Sequence, residues 1–289
     1  SRIVEGLSHL AIVVSAPTLI AELTVRRHQP KALTLWGSYF GVAFAVIALA
    51  APSVLRLAGL GGLAAFHAAY MALLAVVVTA TLPDEDRRAA PPWPSFGSLL
   101  QRHLAVYRSA FVGAPAIGWL FYTLTFVSML TILPTMVDPS QRAFVAALMP
   151  LASILSSMTI GNFMLAYINA VSVVIIGFLA AIVLIVLFLI TGPGVVLFIA
   201  IFAALGLVQG ATFAAVPQLN ASLPDRSLAN GGIAQTGNIG NALGTPVMLA
   251  VASTNVSIGL PALLISCYTI AIALHIAMAR SRKAAGLAS

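Results

Sequence analysis

Residues 169–191 read NAVSVVIIGFLAAIVLIVLFLIT, an apolar run without a single charged side chain. At a rise of 1.5 Å per residue, a helix of this length crosses the ~30 Å hydrocarbon layer of a bilayer. The pattern recurs on both sides of it. Further apolar segments lie at 1–24, 33–55, 58–81, 109–136, 143–167, 194–219, 229–253 and 257–279 and, with this run, fill almost all of the 289 residues. Segments this long satisfy their own backbone polar groups as helices, and they exceed what barrel strands need. The expected fold class is an all-α integral membrane protein, a polytopic helical bundle.

Charge orders these segments. Threaded up and down through a bilayer with the first segment running inward, the chain places 11 of its 14 Lys and Arg on one side: Arg26, Arg27, Lys31, Arg87, Arg88, Arg102, Arg108, Arg226, Arg280, Arg282 and Lys283. The other side keeps Arg56 and Arg142, with Arg2 in the outer part of the first segment. Short cytoplasmic loops retain basic residues during insertion, so the C-terminus and the 82–108 connection are expected in the cytoplasm, beneath an inner (plasma) membrane.

Composition closes other classes. A chain 61% hydrophobic and 7% charged cannot supply the polar surface of a soluble protein. Its net charge of +7 is then a topology signal, and nucleic acid is not an expected partner. The bilayer, a small-molecule substrate and protons are. Cys267 is the only cysteine, and His9, His28, His67, His103 and His275 are scattered, so no metal site and no cofactor are expected. No phosphate-binding Gly-x-x-x-x-Gly-Lys-Ser/Thr loop occurs, which disfavours ATP as the energy source.

The clearest break in composition is Asp84-Glu85-Asp86-Arg87-Arg88 followed by Pro91-Pro92-Trp93-Pro94. It divides the chain into residues 1–81, three helices of an N-terminal bundle; 82–108, a cytoplasmic loop; and 109–289, a six-helix C-terminal bundle. Within the loop, Ser95 is a candidate N-cap, and Phe96, Leu99, Leu100, Leu104 and Tyr107 form one face of an amphipathic helix. Glu5-Gly6 is echoed by Gln209-Gly210, and Gly37-x-x-x-Gly41 by Gly240-x-x-x-Gly244, at nearly the same offset. This suggests two six-helix halves related by duplication, the first lacking three helices. The opening, Ser1-Arg2-Ile3-Val4-Glu5, lies inside an apolar pattern and reads as a truncated start. Without those three helices the chain is not expected to transport by itself.

Polar groups inside the spans are the candidates for chemistry. Arg2, Glu5 and His9 share one helix face, where Glu5 or His9 could exchange protons and Arg2 could hold a carboxylate or an anion; a purely structural pair at the interface is the alternative. Gln235, Asn238, Asn241 and Thr245 form a second stripe, suited to lining a cavity or to bonding a neighbouring helix. Gly237, Gly240 and Gly244 on the adjacent strip allow close helix approach.

Three stretches resemble the major facilitator superfamily of secondary transporters. Arg2-x-x-Glu5-Gly6-x-Ser8-x-x-Ala11 looks like its fourth-helix signature, Trp36-Gly37-Ser38-Tyr39-Phe40-Gly41 is similar to its fifth helix, and Ala229 to Gly240 resembles its eleventh. The resemblance covers the chain as helices 4–12 of 12. It implies a cavity lined also by Tyr122, Thr125, Gln209 and Thr212, and transport of a small organic solute by alternating access, with proton-coupled efflux as one form. Gly41 is followed by Val42, where proton antiporters of the family carry Gly-Pro, so antiport is not implied. An integral membrane enzyme and a non-transporting binding or sensory protein are the alternative classes.

Overall fold

The computed structural model describes residues 2–81 and 95–285. The charged and proline-rich stretch at 82–94 lies outside the described residues, as do the side chains of Arg2, Glu5 and His9. Helices dominate the described residues: α1 (Arg2–Leu23), α2 (Gln29–Gly37), α3 (Tyr39–Thr81), α4 (Phe96–Arg108), α5 (Gly113–Ile132), α6 (Arg142–Ser156), α7 (Asn162–Leu165), α8 (Ala170–Thr191), α9 (Val195–Leu219), α10 (Leu223–Asn255) and α11 (Gly259–Ala284). A π-helical turn at Ser157–Gly161 joins α6 to α7. No strand occurs among the described residues.

The nine apolar segments all become helical, with two breaks inside them. Segment 33–55 is interrupted at Ser38, between α2 and α3, at a Gly-Ser pair of the kind that commonly kinks helices. The long α3 departs from helical geometry at Gly59, with φ 64°, a value that costs glycine little and other residues more. Among the described residues, six stretches are long and apolar enough to cross a membrane: Ser53–Thr81, Gly113–Met136, Pro139–Leu165, Ala170–Thr191, Val195–Leu219 and Gly259–Ala284. Helix α10, described throughout, misses that measure because glycine and amides dilute its apolar residues.

Packing follows the small residues. α10 lies along α5, with α9 and α8 paired behind it, α11 against α8 and α6 against α9. The N-terminal helices join this body at three places: α1 on α10, α2 on α9 and α3 on α6. Phe126, Phe178, Phe198, Phe202, Phe213 and Tyr268 are the largest fully buried side chains and mark the core. By contrast, the apolar Ser53–Thr81 stretch buries none of its residues within the fold. In a bilayer such a surface is solvated by lipid, so its exposure carries no penalty.

The amphipathic helix forms where its cap predicts. The Ser95 hydroxyl accepts the Ser98 N–H at 3.3 Å. α4 also reaches into the bundle: Val106 is buried, and the Tyr107 hydroxyl donates to Gln235 Oε1 at 3.0 Å. Burial raises the Tyr107 phenol pKa above its usual value, so it is a donor at any physiological pH.

Candidate functional site

Helix α5 supplies an aromatic column. Trp119 stacks on Tyr122 at 4.8 Å between ring centroids, Tyr122 on Phe126 at 4.7 Å, and Phe126 meets Phe202 of α9 at 4.7 Å. Spacings of three and four residues place the first three rings on one helix face. Beside this column lies a cleft lined by Val13 of α1, Tyr39 of α3, Trp119, Tyr122, Thr123, Phe126 and Val127 of α5, and Ala234, Gly237, Asn238 and Asn241 of α10. Its volume is about 40 Å³. That holds a few water molecules, against the roughly 300 Å³ or more of a typical small-molecule pocket. The cleft would have to widen to take a solute.

Glycine makes the cleft's far wall possible. A Cβ on Gly237 would come within 2.6 Å of Trp119 Nε1, and one on Gly240 within 2.8 Å of the Leu124 nitrogen. The strip Gly237, Gly240 and Gly244 therefore lets α10 lie against α5, while Asn238 and Asn241 stay exposed on the cleft side.

Behind Tyr122, the middle ring of the aromatic column, is a buried polar node. Gln209 of α9 accepts two hydroxyls at its Oε1, from Tyr122 at 3.1 Å and from Ser153 of α6 at 3.1 Å. Its Nε2 donates to the carbonyl of Gly37, at the break between α2 and α3. Near it, Tyr268 of α11 donates to the Thr125 hydroxyl at 2.9 Å, and Thr125 in turn donates to the Phe121 carbonyl at 2.9 Å.

The residues singled out from the sequence thus divide among several places. Tyr122, Asn238 and Asn241 meet at the cleft. Gln209 is joined to Tyr122 but sits behind it, and Thr125 belongs to the Tyr268 pair. Thr212 is buried without a hydrogen-bond partner, facing Gly118 opposite His275, whose two nitrogens are also unpaired. Gln235 turns toward α4, and Thr245 lies 3.4 Å from the Ser128 hydroxyl, so the expected four-residue stripe is one cleft-facing pair with two packing contacts at its ends. The side chains of Arg2, Glu5 and His9 lie outside the described residues, but their positions share a register with Val13, four and eight residues before it and beyond. Trp119, Tyr39, Ser153 and Tyr268 were not foreseen. Only the Trp119, Tyr122, Phe126 spacing gave a sequence signal for one of them.

A helical bundle with lipid-compatible outer surfaces and an aromatic, amide-lined cleft between its chain-terminal parts is a multi-pass membrane protein of the transporter type. The sequence model of the Major Facilitator Superfamily matches residues 1–245, and the chain belongs to that family. Among solved structures it is similar to a Major Facilitator Superfamily transporter, FucP, in the outward conformation, with a TM-score of 0.67 and 16% identity over 92% of this chain and 72% of that one. It is likewise similar to a variant of the E. coli fucose:proton symporter FucP, with a TM-score of 0.66 and 15% identity over 92% and 73%. At these identities the likeness is one of fold. No curated protein matches the chain.

Proposed function

We propose that the protein is a secondary active transporter of an inner (plasma) membrane that moves a small organic solute by alternating access, driven by protons. The observation that carries this reading is the cleft itself, which draws its lining from α1 and α3 on one side and α5 and α10 on the other. A site shared by two groups of helices is reshaped when they rock against each other. Among its described lining residues none is charged, so the solute bound there is uncharged at the contacting face; Trp119 and Tyr122 offer apolar ring surface, and Asn238 and Asn241 offer donors and acceptors. Glu5 and His9, in register with Val13, are the proposed proton carriers, and Arg2 the group that holds the carboxylate ionised. Residues 1–81 and 109–289 act as the two rocking units, and the basic side, with the C-terminus, faces the cytoplasm.

The similar structures are of a fucose:proton symporter, which makes fucose the first probe. The protein, expressed from its complete reading frame, is reconstituted in liposomes containing a pH-sensitive dye, and a panel of neutral solutes headed by fucose is added. A solute-dependent pH change inside the vesicles, lost in Glu5→Gln while counterflow persists, is the expected result, and its sign with the gradient reversed separates import from efflux. Binding without counterflow would assign a sensory protein instead, and chemical conversion of the solute an enzyme.

A further inference from the structure

The Gln209 node lies where helices from the two ends of the chain touch. Gln209, Tyr122 and Ser153 belong to α9, α5 and α6, whereas Gly37 closes α2. Two hydroxyls occupy Gln209 Oε1 and fix the amide, so its Nε2 is aimed at the one carbonyl that the Ser38 break presents to it. Gly37 and Gln209 lie roughly 12–15 Å along their helices from the ends near Lys31 and Arg226, about the depth of Val13, Tyr39 and Tyr122 in the cleft wall. Glycine again sets the approach: a Cβ at Gly37 would stand 2.8 Å from a Phe213 ring carbon, and one at Gly210 would stand 2.8 Å from the Thr34 methyl. Nearer the basic end, Asn230 of α10 donates to the Thr18 hydroxyl of α1 at 3.0 Å.

The same interface is incompletely satisfied. The hydroxyls of Thr34 and Ser157, both against Gly210, are buried without partners. An unpaired buried hydroxyl forfeits its hydration, and that loss is recovered when the surfaces part. A permanent core would gain by pairing them or by replacing them with apolar groups. Here one amide bond holds together a contact that its own neighbours favour opening.

We infer that Gln209 is a latch: its bond to the Gly37 carbonyl holds α2 against α9 behind Tyr122 and keeps together the two groups of helices that share the cleft, and breaking it lets them part. Two discrete arrangements of packed helices, biased by a few bonds, are what such a transition requires. The latch takes its purpose from the transporter reading, but its operation can be measured without a solute.

The test uses thiol accessibility. Cys267 is the only cysteine, so a Cys267→Ala background is free of native thiols. Thr34→Cys places a reporter inside the α2–α9 contact, where the residue is fully buried; Ser128→Cys places one between α5 and α10, within the C-terminal helices. Each reporter is combined with Gln209→Met, an apolar side chain of similar length, and with Gln209→Leu, which likewise has no donor for the Gly37 carbonyl. Maleimide modification of the folded, reconstituted protein at Thr34→Cys is expected to quicken on the order of ten-fold in both variants, with Ser128→Cys unchanged. An unaltered rate at Thr34→Cys would overturn the latch, and so would an equal rise at Ser128→Cys, which means general loosening. Failed solute transport with a positive labelling result would count against the transporter reading alone, and the converse against the latch alone.

Discussion

Tyr122 and Tyr268 each direct a buried hydroxyl to a side chain on another helix, and the two bonds differ in what their loss would leave behind. Gln209 Oε1 keeps Ser153 when Tyr122 is replaced by Phe, and the Thr125 hydroxyl keeps its bond to the Phe121 carbonyl when Tyr268 is. No group is orphaned in either case, so Tyr122→Phe and Tyr268→Phe should each cost about 0.5–1.5 kcal/mol in detergent-solubilised unfolding, short of the penalty for a stranded buried group. A loss well above that in Tyr122→Phe would mean that the tyrosine organises the node beyond its bond. Gly118 is a more severe position. A Cβ there would sit 2.9 Å from His275 Nε2 and 3.3 Å from Thr212 Oγ1, both on fully buried side chains, so Gly118→Ala should destabilise by about 1–3 kcal/mol in the same measurement. None of these partnerships was legible in the sequence. Tyr122, Thr125, Gln209 and Thr212 stood out as polar residues in apolar helices, but which one meets which depends on helix rotation and approach, and a single helix's spacing does not encode them.

At the scale of the element, α10 shows how much spacing does encode. Gly237, Gly240 and Gly244 read as a strip for close approach, and in the fold α5 occupies that strip with its backbone near Gly240. Gly231, in the same helix, has nothing within contact of an added Cβ. The two glycines make an internal control. Gly240→Ala should cost about 1–3 kcal/mol because the clash is with backbone, whereas Gly231→Ala should be neutral or stabilise by up to about 1 kcal/mol through helix propensity. Thermal unfolding of the two variants checks this, and equal effects would mean that the α5–α10 approach is looser than described. The polar stripe of the same helix was less legible, since Gln235 and Thr245 were separated from Asn238 and Asn241 by α4 and by Ser128. The reason is physical: a stripe only marks the face that avoids lipid, and several different neighbours can occupy that face along a long helix.

For the whole molecule, the alternation of nine segments and the bias of basic residues together predict which connections share a side, and the described part of every segment is helical as that threading requires. Arg26, Arg27, Lys31, Arg108, Arg226, Arg280 and Lys283 fall at one set of helix ends, while Asp138 and Arg142 border the opposite connection between α5 and α6. Orientation is thus the property of the entire chain that its charges predict, since one misplaced segment would reverse all that follow. In the Cys267→Ala background, His103→Cys in α4 and Gln141→Cys in the α5–α6 connection place thiols on exposed residues of the two sides. A membrane-impermeant maleimide applied to intact cells, stripped of any outer barrier, should label Gln141→Cys, and should label His103→Cys only after the membrane is opened. The reverse pattern would invert the orientation and place the basic helix ends outside the cell. Labelling of both from one side would break the nine-segment threading itself, because α5 would then fail to cross. The expected pattern would put Asn230 and Thr18, whose bond lies nearer the basic helix ends than the Gln209 node, between the cleft and the cytoplasm.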